Sequence, residues 1–211
     1  MTTVLWDWNG TLLEDTELSV SLLNDSLVQY GYPTVTVEEY RKVFGFPIRK
    51  YYEALGVTDE DFDPMAVMWA DGYAEGWHDC ELQHQAAETV RRFREAGLKQ
   101  VIISASKLEV LKAQVAAYPA LDGMFDDILG LNDIYAHSKV QLGLDYLHQS
   151  GIDPKDCVFL GDTTHDAEVA AAIGCRCILV SGGHQADEVL RSAGVEVASS
   201  LRHAAEMMGI A

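Results

Sequence analysis

One unit recurs along this chain: a short apolar run that ends on a polar residue and gives way to a segment with helical periodicity. Val4, Leu5 and Trp6 end on Asp7; Val101, Ile102 and Ile103 end on Ser104; Val158, Phe159, Leu160 and Gly161 end on Asp162. Further β-type runs cover 127–129, 176–180 and 195–198, and helix-period segments cover 86–96, 107–117, 139–149, 166–173, 185–193 and 201–208. Alternating β and α units predict a parallel sheet covered by helices on both faces, a Rossmann-like doubly wound α/β fold. The alternation breaks once. Residues 14–85 carry no convincing strand, and helices are predicted over 16–30, 37–44, 48–55 and 63–77, punctuated by Gly31, Pro33, Pro47, Gly56 and Pro64. This block is expected to be a small all-helical cap inserted after the first strand, so that 1–13 and 86–211 form the core and 14–85 the cap.

Composition narrows the partners. With 48% hydrophobic and 23% charged residues over 211 positions, the chain can bury a sizeable core and is not of the disordered class. A net charge of −18 repels nucleic acid and anionic membrane surfaces. It would equally repel an anionic ligand unless a cation or a local basic patch offset it. The apolar runs are too short to span a bilayer, the first residues do not resemble a signal peptide, and Cys80, Cys157, Cys175 and Cys177 form no C-x-x-C pair. A reduced, cytoplasmic protein, monomeric or homodimeric, is expected.

Open α/β sheets bind ligands at the carboxyl ends of their strands. Asp7, Ser104 and Asp162 all stand at such ends, Gly10 and Thr11 follow Asp7 in a turn, and Lys139 opens a helical segment. No P-loop, no G-x-S-x-G elbow and no Cys with an Arg six residues on is found. The ordered set Asp7, Ser104, Lys139 and Gly161-Asp162-x-x-x-Asp166 resembles the haloacid dehalogenase superfamily of phosphohydrolases. Within it the chain is similar to the phosphoglycolate-phosphatase-like branch with a helical C1-type cap.

That resemblance implies a Mg²⁺-dependent phosphatase of a small phosphorylated metabolite. Asp7 would be the nucleophile and form an aspartyl-phosphate. Asp7, the backbone carbonyl of Asn9, and Asp162 would hold Mg²⁺, with Asp166 reaching the metal directly or orienting a water on it. Gly10, Thr11, Ser104, the backbone at Ala105, and Lys139 would contact the phosphoryl group. Arg49, in a locally basic run from Arg41 to Lys50, is a candidate for a second anionic group of the substrate, although a solvated helix face is the simpler account of the run.

Asn9 departs from the family pattern, which places a second Asp two residues after the nucleophile as general acid and base. An amide transfers no proton at neutral pH, and such catalysis is worth about 10²–10⁴-fold in rate. On the sequence alone, Asn9→Asp would be expected to supply the missing acid. Two alternatives stay open: a catalytically weak phospho-ligand binding or regulatory protein, and a phosphonatase-like or phosphoanhydride-cleaving hydrolase. A dehalogenase is disfavoured by the acidic pair Asp162 and Asp166. Elsewhere, His78, Cys80 and His84 read as a polar linker rather than a metal cluster. His165 is expected to face the cap or the phosphate, and Gly182-Gly183-His184 to form a loop at the sheet edge. Of Trp6 and Trp8, one is expected in the core and the other over the site.

Overall fold

The computed structural model describes residues 2–131 and 139–210. In chain order its elements are β1 (Thr3–Trp6), β2 (Leu13–Glu14), α1 (Thr16–Gln29), α2 (Val37–Val43), α3 (Ile48–Ala54), α4 (Asp59–Gly76), β3 (Glu81–Leu82), α5 (Ala86–Glu95), β4 (Lys99–Lys107), α6 (Leu108–Ala116), β5 (Asp127–Leu131), α7 (Lys139–Ser150), β6 (Cys157–Gly161), α8 (Thr164–Ile173), β7 (Arg176–Val180), α9 (Asp187–Ser192), β8 (Glu196–Ala198) and α10 (Leu201–Met207). Six strands form one sheet in the order β5-β4-β1-β6-β7-β8, with every pair parallel. The architecture is the Rossmann-like α/β fold expected from the alternation.

Strand periodicity explains how both faces are covered. Val4, Trp6, Ile102, Val158, Leu160, Ile178 and Val180 pack with residues of α5, α6 and α10. Their neighbours Leu5, Val101, Ile103, Cys157, Phe159, Cys177 and Leu179 pack with residues of α7, α8 and α9. Successive side chains of a strand point to opposite faces, so a strand covered on both sides must be apolar throughout.

Trp6 and Trp8 both belong to the first of these cores and are fully buried, correcting the expectation that one of them would cover the site. They are two residues apart and share a face, whereas Asp7 between them points away. The Trp6 indole lies 5.4 Å from the Phe93 ring and donates to Gln100 Oε1 at 3.1 Å. Gln100 donates in turn to the carbonyls of Val90 and Met124. The Trp8 indole donates to Gln114 Oε1 at 3.0 Å.

Helices α1–α4 build a separate core of Val20, Leu23, Leu27, Tyr40, Tyr51, Tyr52, Val57 and Met65. Two elements here differ from the sequence expectation. Helix α4 begins at Asp59, four residues before the predicted start, with Asp59, Glu60 and Asp61 in its first turn, where carboxylates complement the helix dipole. The chain enters and leaves the helical block through an antiparallel pair, Leu13 opposite Leu82 and Glu14 opposite Glu81. Strands of two residues are too short to show a period, so only the meeting of the two crossings reveals them.

The helical block is also fastened to the rim of the sheet. Arg41 of α2 donates to the carbonyls of Gly183 at 2.8 Å and Gly182 at 2.7 Å, and its own carbonyl accepts from the Ala186 N–H. Gln185 joins the two sides, donating to the Phe44 carbonyl and accepting from the Thr164 N–H.

Replacing Trp6 by Phe keeps a ring beside Phe93 but leaves the buried Gln100 oxygen without its donor. The variant should lose about 1–3 kcal/mol of unfolding free energy, read by urea denaturation. An unshifted midpoint would mean that Gln100 finds another donor.

Candidate active site

The register of the sheet brings the acidic motifs together. β1 lies between β4 and β6, with Trp6 opposite Ile102 on one side and Leu160 on the other. The Asp7 N–H donates to the Leu160 carbonyl at 2.8 Å, continuing the ladder one residue past the strand. Asp7 and Asp162 therefore leave adjacent strands on one rim. Asp7, Asp162 and Asp166 are all buried, and one carboxylate oxygen from each lies within 4.8 Å of the other two.

Lys139, at the start of α7, reaches into this cluster. Its ammonium contacts Asp7 Oδ1 and donates to Asp166 Oδ1 at 2.6 Å. Burial alone would depress the Lys139 pKa, but Asp166 and Asp7 raise it, so the side chain is cationic. Burial dominates at Asp7 and raises its pKa; Lys139 pulls it down, and Asp166 and Asp162 push it up again. Asp162 is raised chiefly by burial, against the opposing pull of His184. Three carboxylates facing one ammonium leave an excess of buried negative charge. Hard oxygen donors in such a cluster fit Mg²⁺, which Asp7, Asp162 and Asp166 could hold.

Asp166 has a second task. Its Oδ2 accepts from the N–H groups of Asp162 and Thr163 and from the Thr163 hydroxyl, closing the N-terminus of α8. Both of its oxygens are thus engaged within the protein, one on the helix end and one on Lys139. The helix-terminal role of a carboxylate at this position is therefore present alongside its contact with Lys139.

Thr11 Oγ1 lies 2.9 Å from Asp162 Oδ1 and 3.3 Å from Asp7 Oδ2, a hydroxyl bridging the two carboxylates. Gly10 has a φ of +72°, and a Cβ there would overlap both the Asp162 carboxylate and the His184 ring. Glycine is required at this turn on both counts. Ser104 is buried near the end of β4, and its Oγ accepts from the Ser106 N–H at 3.1 Å. Strand β4 runs on to Lys107, past the predicted end at Ser104, with a register shift against β5 between Ile103 and Lys107. Ala105 is therefore an exposed residue of this irregular strand end rather than of a following loop.

Among the described contacts, Arg49 is joined to acids of the helical block and to none of these residues. Its guanidinium pairs with Asp59 at 3.0 Å and Asp63 at 2.8 Å and lies 4.2 Å from the Phe62 ring centroid. Acidic residues packed nearby in the helical block, invisible to a count along the basic run, absorb its charge. Of the two placements open for His165, the structure shows the one against the helical block, its ring 4.7 Å from that of Phe46. Among the described residues, His78, Cys80 and His84 form no metal-binding group.

Sequence reasoning missed a second layer of side chains. Asp15 is buried directly behind Gly10 and accepts from four donors: the Gly10 N–H at 2.9 Å, Asn9 Nδ2 at 2.8 Å, the Tyr73 hydroxyl at 2.7 Å and His184 Nε2 at 3.1 Å. The other ring nitrogen of His184 meets the Tyr40 hydroxyl at 2.9 Å, and its backbone N–H donates to Asp162 Oδ2 at 2.6 Å. Gly182-Gly183-His184 is thus no peripheral loop: it follows β7, the neighbour of β6, and its backbone grips the Asp162 carboxylate. A Cβ at Gly183 would overlap Asp162. The legible signal was a Gly-Gly-His run directly after a strand adjoining an acidic one.

Burial opposes charge on both Asp15 and His184, yet each stabilises the other. Asp15 is held below the usual carboxylate range by His184, Tyr73 and Asn9, and His184 is raised to about 9 by Asp15, with Asp162 and Asp7 nearby. A histidine pKa raised by folding gives stability that is complete below its ordinary value of 6.5 and is lost as pH rises through about 9. Unfolding free energy should therefore fall by on the order of 3 kcal/mol across that window, with His184→Gln removing most of the slope in urea titrations. Equal slopes in both proteins would refute the charged pair.

Comparison with known proteins adds to this geometry. The family model described as haloacid dehalogenase-like hydrolase matches residues 4–180, a span that includes Asp7, Ser104, Lys139, Asp162 and Asp166. Phosphoglycolate phosphatase 1 of Pseudomonas aeruginosa is 23% identical over 190 residues, covering 86% of this chain and 70% of that protein. Tyrosine-protein kinase PtkA of Mycobacterium tuberculosis is 26% identical over 182 residues, with 86% of this chain but only 62% of that protein covered. A solved structure of a haloacid dehalogenase-like family hydrolase from Streptococcus pneumoniae superposes with a TM-score of 0.83 at 16% identity, over 99% of this chain and 98% of that one. By the extent of the family match and by its fold, the chain belongs to the haloacid dehalogenase-like hydrolases.

Proposed function

We propose that the chain is a Mg²⁺-dependent phosphatase that hydrolyses a small phosphorylated metabolite through an aspartyl-phosphate on Asp7, with α1–α4 serving as a cap over the site. The observation that carries this is the buried cluster in which Asp7 meets Lys139 while Asp162 and Asp166 stand within 4.8 Å. Relatives that include a phosphoglycolate phosphatase support the substrate class. Four free cysteines fit a reduced, cytoplasmic setting, and no helix of the described residues is long and apolar enough to cross a membrane.

An oxygen of Asp7 would attack phosphorus, and the bond from phosphorus to the leaving oxygen would break, the oxygen departing with the electron pair. Water would then attack the phosphorus of the aspartyl-phosphate, releasing phosphate and restoring the Asp7 carboxylate. Mg²⁺ held by Asp7 and Asp162 would neutralise charge on the phosphoryl oxygens and keep Asp7 ionised despite its burial. Lys139 would bind an equatorial oxygen and shield Asp7 from the incoming dianion, and the Ser104 hydroxyl would donate to another. These are positioning and electrostatic roles, the main sources of catalysis in phosphoryl transfer. Asp166 would orient Lys139, and Thr11 would hold the Asp7 and Asp162 carboxylates at their spacing.

The protein should hydrolyse p-nitrophenyl phosphate with Mg²⁺, lose turnover in EDTA and regain it when Mg²⁺ is returned. Asp7→Asn should abolish turnover while its circular dichroism stays that of the wild type. Full turnover in EDTA or by Asp7→Asn would overturn the mechanism, and phosphate binding without any turnover would favour the regulatory alternative.

A further inference from the structure

Asn9 looks in sequence like an acid that has been lost; its surroundings give it a different character. The side-chain NH₂ donates to Asp15 Oδ2 at 2.8 Å and to the Tyr73 oxygen at 2.6 Å, and Oδ1 accepts from the Ser106 hydroxyl at 3.1 Å. Asp15 is 2% exposed, and Gly10, His184, Tyr73 and Asn9 supply two donors to each of its oxygens. An ionised carboxylate only accepts hydrogen bonds, so this environment requires a donor at position 9. A carboxylate there would set acceptor against acceptor, and like charge against like charge, in a site already holding Asp7, Asp162 and Asp166.

We propose that Asp15 is a positioning residue that fixes the side chain at position 9 as an amide, and that the acid at 15 and the amide at 9 work as one exchangeable pair. Through its bonds to the Gly10 N–H and to Asn9, Asp15 anchors the turn between the nucleophile and Thr11, the hydroxyl that bridges Asp7 and Asp162. Its partners Tyr40 (through His184) and Tyr73 come from α2 and α4, so the helical block contributes to this anchoring.

Exchanging the pair preserves the hydrogen bonds, while the negative charge that faces His184 moves from position 15 to position 9. With an amide at 15, its oxygen accepts from Gly10 and His184, and its NH₂ donates to the Tyr73 oxygen and to the carboxylate now at 9. The hydroxyls of Tyr73 and Ser106 donate to that same carboxylate. Donors, acceptors and net charge all balance, whereas either single substitution unbalances them. Asn9→Asp alone is therefore not expected to supply a usable acid, contrary to what the sequence suggests.

The test is a double-mutant cycle on the full chain: wild type, Asn9→Asp, Asp15→Asn and the double variant. Each is assayed with p-nitrophenyl phosphate and Mg²⁺ well below its melting temperature and also melted without substrate. Each single variant should lose about tenfold or more in kcat with KM for p-nitrophenyl phosphate within about twofold, and the double variant should regain at least about tenfold over the weaker single, as expected for groups in direct contact. A merely structural weakening would lower melting temperatures without this kcat-specific rescue. Asn9→Asp equal to or faster than wild type, or a double variant whose loss is the product of the two single losses, would overturn the proposal. The kinetic arm rests on the phosphatase reading. If the wild type shows no turnover, that reading fails by itself, and the pairing is judged by melting temperature, where rescue in the double variant supports it and additive losses overturn it. A single variant that does not fold counts as a complete loss, and the folded yield of the double variant then decides in the same way.

Discussion

The contact of Lys139 with Asp7 and Asp166 is the interaction on which the site depends. Three carboxylates are buried at the carboxyl rim of a sheet whose strands are apolar on both faces, and among the described residues one ammonium meets two of them directly. Removing charges from water costs several kcal/mol each unless partners compensate, so such a cluster persists only where geometry forces it. The geometry is supplied by β1 between β4 and β6, by α7 delivering Lys139 from the next layer, and by α8, whose first turn carries the Asp166 carboxylate. The residual negative charge of the cluster suits a divalent cation.

A second ionic pair, Asp15 with His184, sits behind the first and joins three parts of the molecule. His184 belongs to the loop after β7, Asp15 precedes α1, and Tyr40 and Tyr73 extend from the helical block. The same loop holds Asp162 through its backbone and is held by Arg41 through its carbonyls. Two hydrogen-bonded steps thus link α2 to the Asp162 carboxylate. This network also gives the amide at position 9 a physical cause: an acid-rich turn in which Asp15 already supplies the negative charge.

Much of the fold was legible in the sequence because it depends on local pattern. Strands buried on both faces must be continuous apolar runs, and helices between them must show a 3.6-residue period; the runs at Val4, Val101, Val158 and Arg176 carry both signals. Asp7 and Asp162 were legible for a related reason. A polar residue ending a buried strand has few places to go except the rim, whereas Lys139, as a lone lysine opening a helix, was legible only through its place in the ordered set. The short pair β2–β3, the early start of α4 and the extension of β4 past Ser104 were not legible, since two-residue strands and irregular ends carry too little pattern.

The sequence by itself determined the doubly wound core, the helical block after the first strand and the order of acidic, hydroxyl and basic groups along one rim. Only the tertiary structure decided the surroundings of each group. It assigned Arg49 to acids within its own helical block, buried both Trp6 and Trp8 in one core, and drew His184 from an apparent edge loop onto Asp162. The reason is separation along the chain. Asp15 and His184 lie 169 residues apart, Tyr40 and His184 144, and Asn9 and Tyr73 64. No periodicity encodes such meetings; they follow from strand order and from how the helices close over the rim, which is also where Asn9 acquires the partner that explains it.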